Sequence, residues 1–274
     1  MKHESSIELL NFVSLISHFL GEGALTHFLH RYETIIFTLA VIVLLTLVSY
    51  FSSSNKKLVP GRLQSAVESI VEALNDLVCG ILGPEGRKYT PFLGTLFLYI
   101  WVMNLIGLVP LMKSPTSASL TLTLGALRLP IPTVTAALAI IVFFYVQFIG
   151  IKEQGIVGCL DHMAGSPRDV FGWVLLPIMF VIHVIGEFAK PLSLSFRLYG
   201  NIWGEDVLLA VFVGLGVGIF AFLPIPAGIP LQFPFLLLAM VTGTIQAFVF
   251  TLLSTVYIAM MLPHEHKEDH VQHA

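Results

Sequence analysis

The stretch HVIGEFAKPLSLSFRLYGNIWGEDVLL, His183 to Leu209, is strongly apolar yet carries Glu187, Lys190, Arg197, Glu205 and Asp206. These five are the only charged residues between Phe171 and Leu262. An arginine inside a bilayer costs about 2.5–3.5 kcal/mol even on the mildest insertion scale, so such residues line a watery path, face a partner or pair with a carboxylate. Helical projection gives this set a direction. At about 100° per residue, with Arg197 at zero, Lys190 falls near 20°, His183 and Asn201 near 40°, Ser193 near −40°, and Glu187 and Glu205 near 80°. One polar stripe therefore runs along an otherwise oily helix. Asp206 falls near 180°, on the opposite side.

Outward from this stretch the chain remains membrane-like. The only clear breaker after it is the turn LPIPAGIPLQFP, Leu223 to Pro234, which separates a segment 171–222 from a last segment 235–262. As one helix, the 52 residues of the first segment would run about 78 Å, far beyond the roughly 30 Å of a hydrocarbon layer. It is either one strongly tilted or bent helix, or two short spans with a loop near Gly200-Asn201, in which case Glu205 and Asp206 would mark solvated chain. Upstream, charge-free stretches predict spans at 34–54, 90–112 and 132–151. The whole chain agrees: 56% of its 274 residues are hydrophobic and 11% charged, against about a quarter charged in a soluble domain. An all-α integral membrane protein is expected, with about five membrane-embedded helices.

Residues 62–82 predict a sixth helix of another kind. Leu63, Val67, Ile70, Val71, Leu74, Leu77, Val78 and Ile81 recur at helical spacing, while Glu68, Glu72 and Asp76 share another face. This is an interfacial amphipathic helix, and its acidic face favours packing on protein over binding to anionic lipid. Basic residues set the orientation. With the Lys56–Lys88 cluster inside, eight basic residues lie inside and four outside, so residues 1–33 form an outer tail and 263–274 a cytoplasmic one.

Other chemistries find little support. Cys79 and Cys159 match no ligand spacing and read as free thiols. The histidines of the tail, His264, His266, His270 and His273, lack the order of a zinc protease. A net charge of −3 and the absence of a basic run argue against nucleic acid. His183 and Glu187, one turn apart, read either as a proton relay or as a satisfied hydrogen bond. Gln246, the most polar residue of TGTIQAFVFTLLSTVYIAMM, reads either as a functional group or as a bond to a neighbouring helix. A secondary ion-coupled transporter is the alternative class, weakly disfavoured because no internal repeat stands out.

KPLSLSFRLYGN at 190–201, the run around Gln246 that reaches Tyr257, and more weakly MNLIGLVP at 103–110 give the chain a family likeness. It resembles the a subunits of F-type ATP synthases, over roughly residues 60–262. The resemblance implies that the last two helices are long, tilted and paired as a hairpin against a ring of c subunits. It implies a non-catalytic, proton-translocating role in a bacterial plasma (inner) membrane, with no cofactor. The c-ring, a b-subunit peripheral stalk, the other synthase subunits and membrane lipid would be its partners. Arg197 matches the family's essential arginine, Asn201 its polar neighbour and Gln246 the last-helix glutamine. His183, Glu187 and Asp206 match channel positions, and Lys190, Ser193 and Glu205 complete the expected proton-translocating set. Ala239 departs from the pattern at a site where some members carry a titratable residue, which shifts the expected path toward His183, Glu187, Glu205 and Asp206.

Overall fold

Helices in a bilayer must satisfy their backbone internally, so apolar segments of this length become α-helices before they pack. The computed structural model describes residues 24–54, 61–108, 119–124, 127–163, 170–218 and 231–262. Its elements are α1 (Ala24–Ser54), α2 (Arg62–Leu82), a short 3-10 turn (Pro84–Lys88), α3 (Thr90–Gly107), β1 (Ser119–Leu124), β2 (Leu127–Pro132), α4 (Thr133–Met163), α5 (Val170–Gly218) and α6 (Phe233–Met261). Five of the helices are long and apolar enough to cross a membrane: α1 and α3 to α6. Residues 1–23 and 263–274 of the two expected tails, and the breaker turn as far as Pro230, lie outside the described residues.

The hydropathy-based segments differ from these elements in instructive ways. α1 begins at Ala24, so the last ten residues of the expected outer tail are helical; a helix does not stop where hydropathy does. The expected span 132–151 begins instead with Pro132 in a strand, and β1 and β2 pair antiparallel from Ser119 with Pro132 to Leu124 with Leu127. α4 then continues past Lys152 and Glu153 to Met163, broken by Gly155 at φ 74°, a conformation that suits a residue without a Cβ. α5 is a single helix of 49 residues, about 74 Å along its axis, with Pro177 and Pro191 inside it. Glu205 and Asp206 therefore sit on helix and not in a loop.

The core is built from α3, α4, α5 and α6. Leu93, Ile100, Leu194, Leu198, Phe250 and Ile258 are fully buried in one cluster that also takes in Leu74 and Val78 of α2. Glu68, Glu72 and Asp76 stay exposed, so α2 packs its apolar side on the bundle. α1 contributes little to this core: Ile35, Leu39, Val43 and Leu47 are exposed, as suits a helix surrounded by lipid. Where the chain leaves α2, Lys88 donates to Glu85 at 2.7 Å, which raises its pKa above the usual lysine value. Both groups are well exposed, so the pair adds little stability.

Candidate functional site

Pairs along α5 and α6 fix how the two helices run against each other. Phe212 stacks on Phe235 with centroids 3.8 Å apart, Thr242 donates to Glu205, and the Lys190 ammonium sits 5.4 Å from the Tyr257 ring centre. Seven residues back along α5 (212 to 205) match seven forward along α6 (235 to 242), and fifteen more (205 to 190) match fifteen (242 to 257). The helices are antiparallel and in step. Arg197 is therefore level with Phe250, and Gln246 is level with Asn201, one turn away from the arginine. On its other side α5 meets α4, where Thr135 and Ser195 share a buried hydrogen bond at 3.3 Å and Phe143 stacks on Phe188.

The single stripe read from the sequence is divided by this packing. Leu194, Ser195, Leu198, Tyr199 and Ile202 turn inward and are buried. Leu192, Phe196, Trp203 and Val207 face outward and are exposed. Arg197 and Ser193 are exposed with them, and beside them a side chain at Gly200 or Gly204 would meet open space. The arginine thus emerges on an open apolar face. Among the described residues no carboxylate pairs with it.

The two glutamates near 80° on the projection point the other way. Glu187 is buried, receives a hydrogen bond at 2.8 Å from Gln147 of α4 and forms an ion pair with Lys190. Glu205 is half-buried and accepts from Asn201 at 2.7 Å, one turn earlier, and from Thr242 of α6. Lys190 thus supplies the counter-charge to Glu187, while Glu205 takes neutral hydrogen bonds from Asn201 and Thr242. His183 and Asp206 are half-buried. Ala239 is buried beside this seam, and its carbonyl lies 3.2 Å from the Thr242 hydroxyl.

α6 is held from behind by α3. Asn104 donates to the Gly243 carbonyl at 3.0 Å and Trp101 to Thr244 at 3.0 Å. A Cβ at position 243 would stand 3.3 Å from the Asn104 Cβ, so the glycine permits the approach. Gln246 is buried, and its amide nitrogen has no hydrogen-bond partner among the described residues. An unmet amide in an apolar bundle costs about 1–3 kcal/mol. A bond to a neighbouring helix does not account for that nitrogen. No group of three His, Cys, Asp or Glu side chains among the described residues is placed to hold a metal.

A family model described as ATP synthase A chain matches residues 34–259, which include the six described α-helices in whole or in part. The chain belongs to the ATP synthase A chain family. A relative from Protochlamydia amoebophila, named ATP synthase subunit a, is 44% identical over 261 residues, 95% of this chain and 90% of the relative. Relatives of the same name from Desulfosudis oleivorans and Helicobacter pylori (strain Shi470) are 35% and 38% identical, over 88% and 84% of this chain and 92% and 89% of theirs.

Three residues of this polar set are not singled out by sequence: Gln147, Thr242 and Tyr257. Tyr257 enters there only as the end of a motif, and Gln147 is one polar residue in an apolar span. A signal does exist for Thr242. It stands four residues before Gln246, on the same helical face.

Proposed function

We propose that this chain is the stator side of a proton channel, in which Arg197 separates two aqueous half-channels and acts on a carboxylate carried past by a ring of c subunits. The observation that carries the proposal is an arginine on the open apolar face of a membrane helix, unpaired by any described carboxylate. Burying a bare guanidinium in lipid is costly, so that face calls for a partner bearing the opposite charge. Gly200 and Gly204 leave room there for a closely packed helix.

The mechanism follows from charge. A ring carboxylate crossing lipid must be protonated, because an ion there is expensive. Beside Arg197 the opposite charge favours ionisation, and the proton leaves into one half-channel. Past the arginine the carboxylate takes a proton from the other. Arginine suits the post because it stays protonated and cannot itself pass protons across the gap. Each proton that crosses delivers about 2.3 kcal/mol per 100 mV of membrane potential to rotation.

Asn201, Glu205 and Thr242 form the polar seam beside the arginine, with Gln246 level with Asn201. Asp206 lies nine residues after Arg197 and His183 fourteen before it; with α5 running outward from the cytoplasmic side, Asp206 is assigned to the outer half-channel and His183 to the cytoplasmic one, and Ser193 borders the arginine on the ring face. Residues 1–33 lie outside and 263–274 in the cytoplasm of a bacterial inner membrane, and the b-subunit stalk and other synthase subunits complete the assembly. Arg197→Ala tests the reading: ATP-driven proton pumping is lost while the complex still assembles.

A further inference from the structure

We propose that Glu187, Lys190, Gln147 and Tyr257 form a closed, charge-balanced clamp that fixes the rotation of α5, and with it the aim of Arg197, and that Glu187 carries no protons. The inference rests on the proton-channel reading above and sets aside one of the two sequence readings of His183 and Glu187, the proton relay. A proton carrier must change charge readily, which a fixed counter-ion opposes, and it needs a watery neighbour. Glu187 is buried, and each of its oxygens is engaged: Oε2 by the Gln147 amide at 2.8 Å, Oε1 by the Lys190 ammonium. Apart from Lys190 and Tyr257, the small cleft it borders is lined by apolar side chains, Ala139, Val142, Phe143 and Val146 of α4 and Pro191 and Leu194 of α5.

Lys190 is the other half of the clamp. It projects near 20° from Arg197 and by sequence alone belongs on the same face. It is instead half-buried, drawn inward to Glu187 and over the face of Tyr257. A cation over an aromatic ring gains further attraction in such a site. The clamp thus ties α5 to α4 through Gln147 and to α6 through Tyr257, about two turns before Arg197. Turning α5 outward would break both ties at once. It also leaves Arg197 as the single basic side chain of the stripe directed to the open face.

The titratable and charged groups around Glu187 are Lys190 beside it, His183 one turn before it, Arg197 farther along α5, and Tyr257 of α6, which lies within electrostatic reach of both Glu187 and Arg197. From α4 the group that hydrogen-bonds it is the uncharged Gln147.

A buried pair behaves distinctively on substitution: removing one partner strands a charge, whereas replacing both is often close to neutral. The experiment uses the assembled synthase in vesicles, reading ATP-driven acidification across pH and the amount of assembled subunit. Glu187→Gln and Lys190→Met singly are expected to lower pumping per assembled complex by about tenfold, and the double variant to return within about threefold of wild type. The double variant should also keep the wild-type pH profile, since no proton carrier has been removed. The swapped pair Glu187→Lys with Lys190→Glu gives a second route, because the Gln147 amide can turn its oxygen to the new ammonium.

Failure of both the double and the swapped variant to restore pumping overturns the clamp, as does a double variant that pumps with a displaced pH profile. Arg197→Ala is run in parallel. If it pumps normally, the channel reading has failed; if it is inactive while neither pair variant recovers, only the clamp has.

Discussion

A cysteine pair at Asn201 and Gln246 should form a disulfide more readily than a pair at Arg197 and Gln246. The expectation follows from the register of α5 and α6, in which contacts at 212/235, 205/242 and 190/257 keep the two helices in step. Packed helix axes lie about 8–10 Å apart and Cα atoms about 2.3 Å from each axis, so facing Cα atoms at one level are separated by about 3.5–5.5 Å. A pair displaced by four residues adds about 6 Å along the axis and stands about 7–8 Å apart, at or beyond the roughly 7 Å limit of a disulfide. The pair Glu205→Cys with Thr242→Cys, at an observed contact, is the positive control. The assay is oxidation in native membranes of an otherwise cysteine-free chain, followed by reversible loss of mobility after cleavage in the intervening turn. Efficient cross-linking of 197 with 246 and none of 201 with 246 would refute the register and the seam built on it.

Two further outcomes bear on the proposed path. Thr242→Val removes the α6 hydroxyl from Glu205, and a hydrogen bond to a charged group is worth about 1.5–3 kcal/mol; ATP-driven pumping should fall by roughly tenfold or more, while Thr242→Ser, which keeps the hydroxyl, stays near wild type. A cysteine at Asp206 should react with membrane-impermeant thiol reagents added to the outer face and one at His183 with reagents added to the cytoplasmic face, and equal protection of both from both sides would remove them from the half-channels.

Much of this architecture is legible in one dimension because lipid imposes a strict rule. Uncharged runs of helical length become α1, α3, α4 and α6, and the period of Leu74 and Val78 against Glu72 and Asp76 marks α2. Hydropathy does not decide whether α5 is one helix or two, since a long tilted helix and a pair of short ones have the same composition. Nor does it end helices where charge begins: Arg31 and Glu33 lie within α1, and Lys152 and Glu153 within α4. The β1–β2 hairpin is signalled only by the period-two alternation of SLTLTL at 119–124, while Pro130 and Pro132 mimic a helix start.

The site is legible on α5 and hidden across helices. Projection places Glu187 and Glu205 at one azimuth, and both turn in toward neighbouring helices, Glu187 to α4 and Glu205 to α6. It cannot show that Gln147 and Lys190 engage the first while Asn201 and Thr242 engage the second. Those partners lie on α4 and α6 as well as on α5, and no periodicity within one helix encodes which neighbour it meets.

The most direct measurement is made on Arg197 itself, in vesicles carrying the assembled synthase, with ATP-driven acidification, passive proton leak and ATP hydrolysis recorded together. Arg197→Ala removes both the charge that ejects the ring proton and the barrier between the half-channels. Acidification should therefore vanish while the subunit remains assembled, and passive leak should persist or rise as protonated ring sites slip past. Near wild-type pumping by Arg197→Ala vesicles would contradict the account, because the arginine would then be no more than a surface charge on α5.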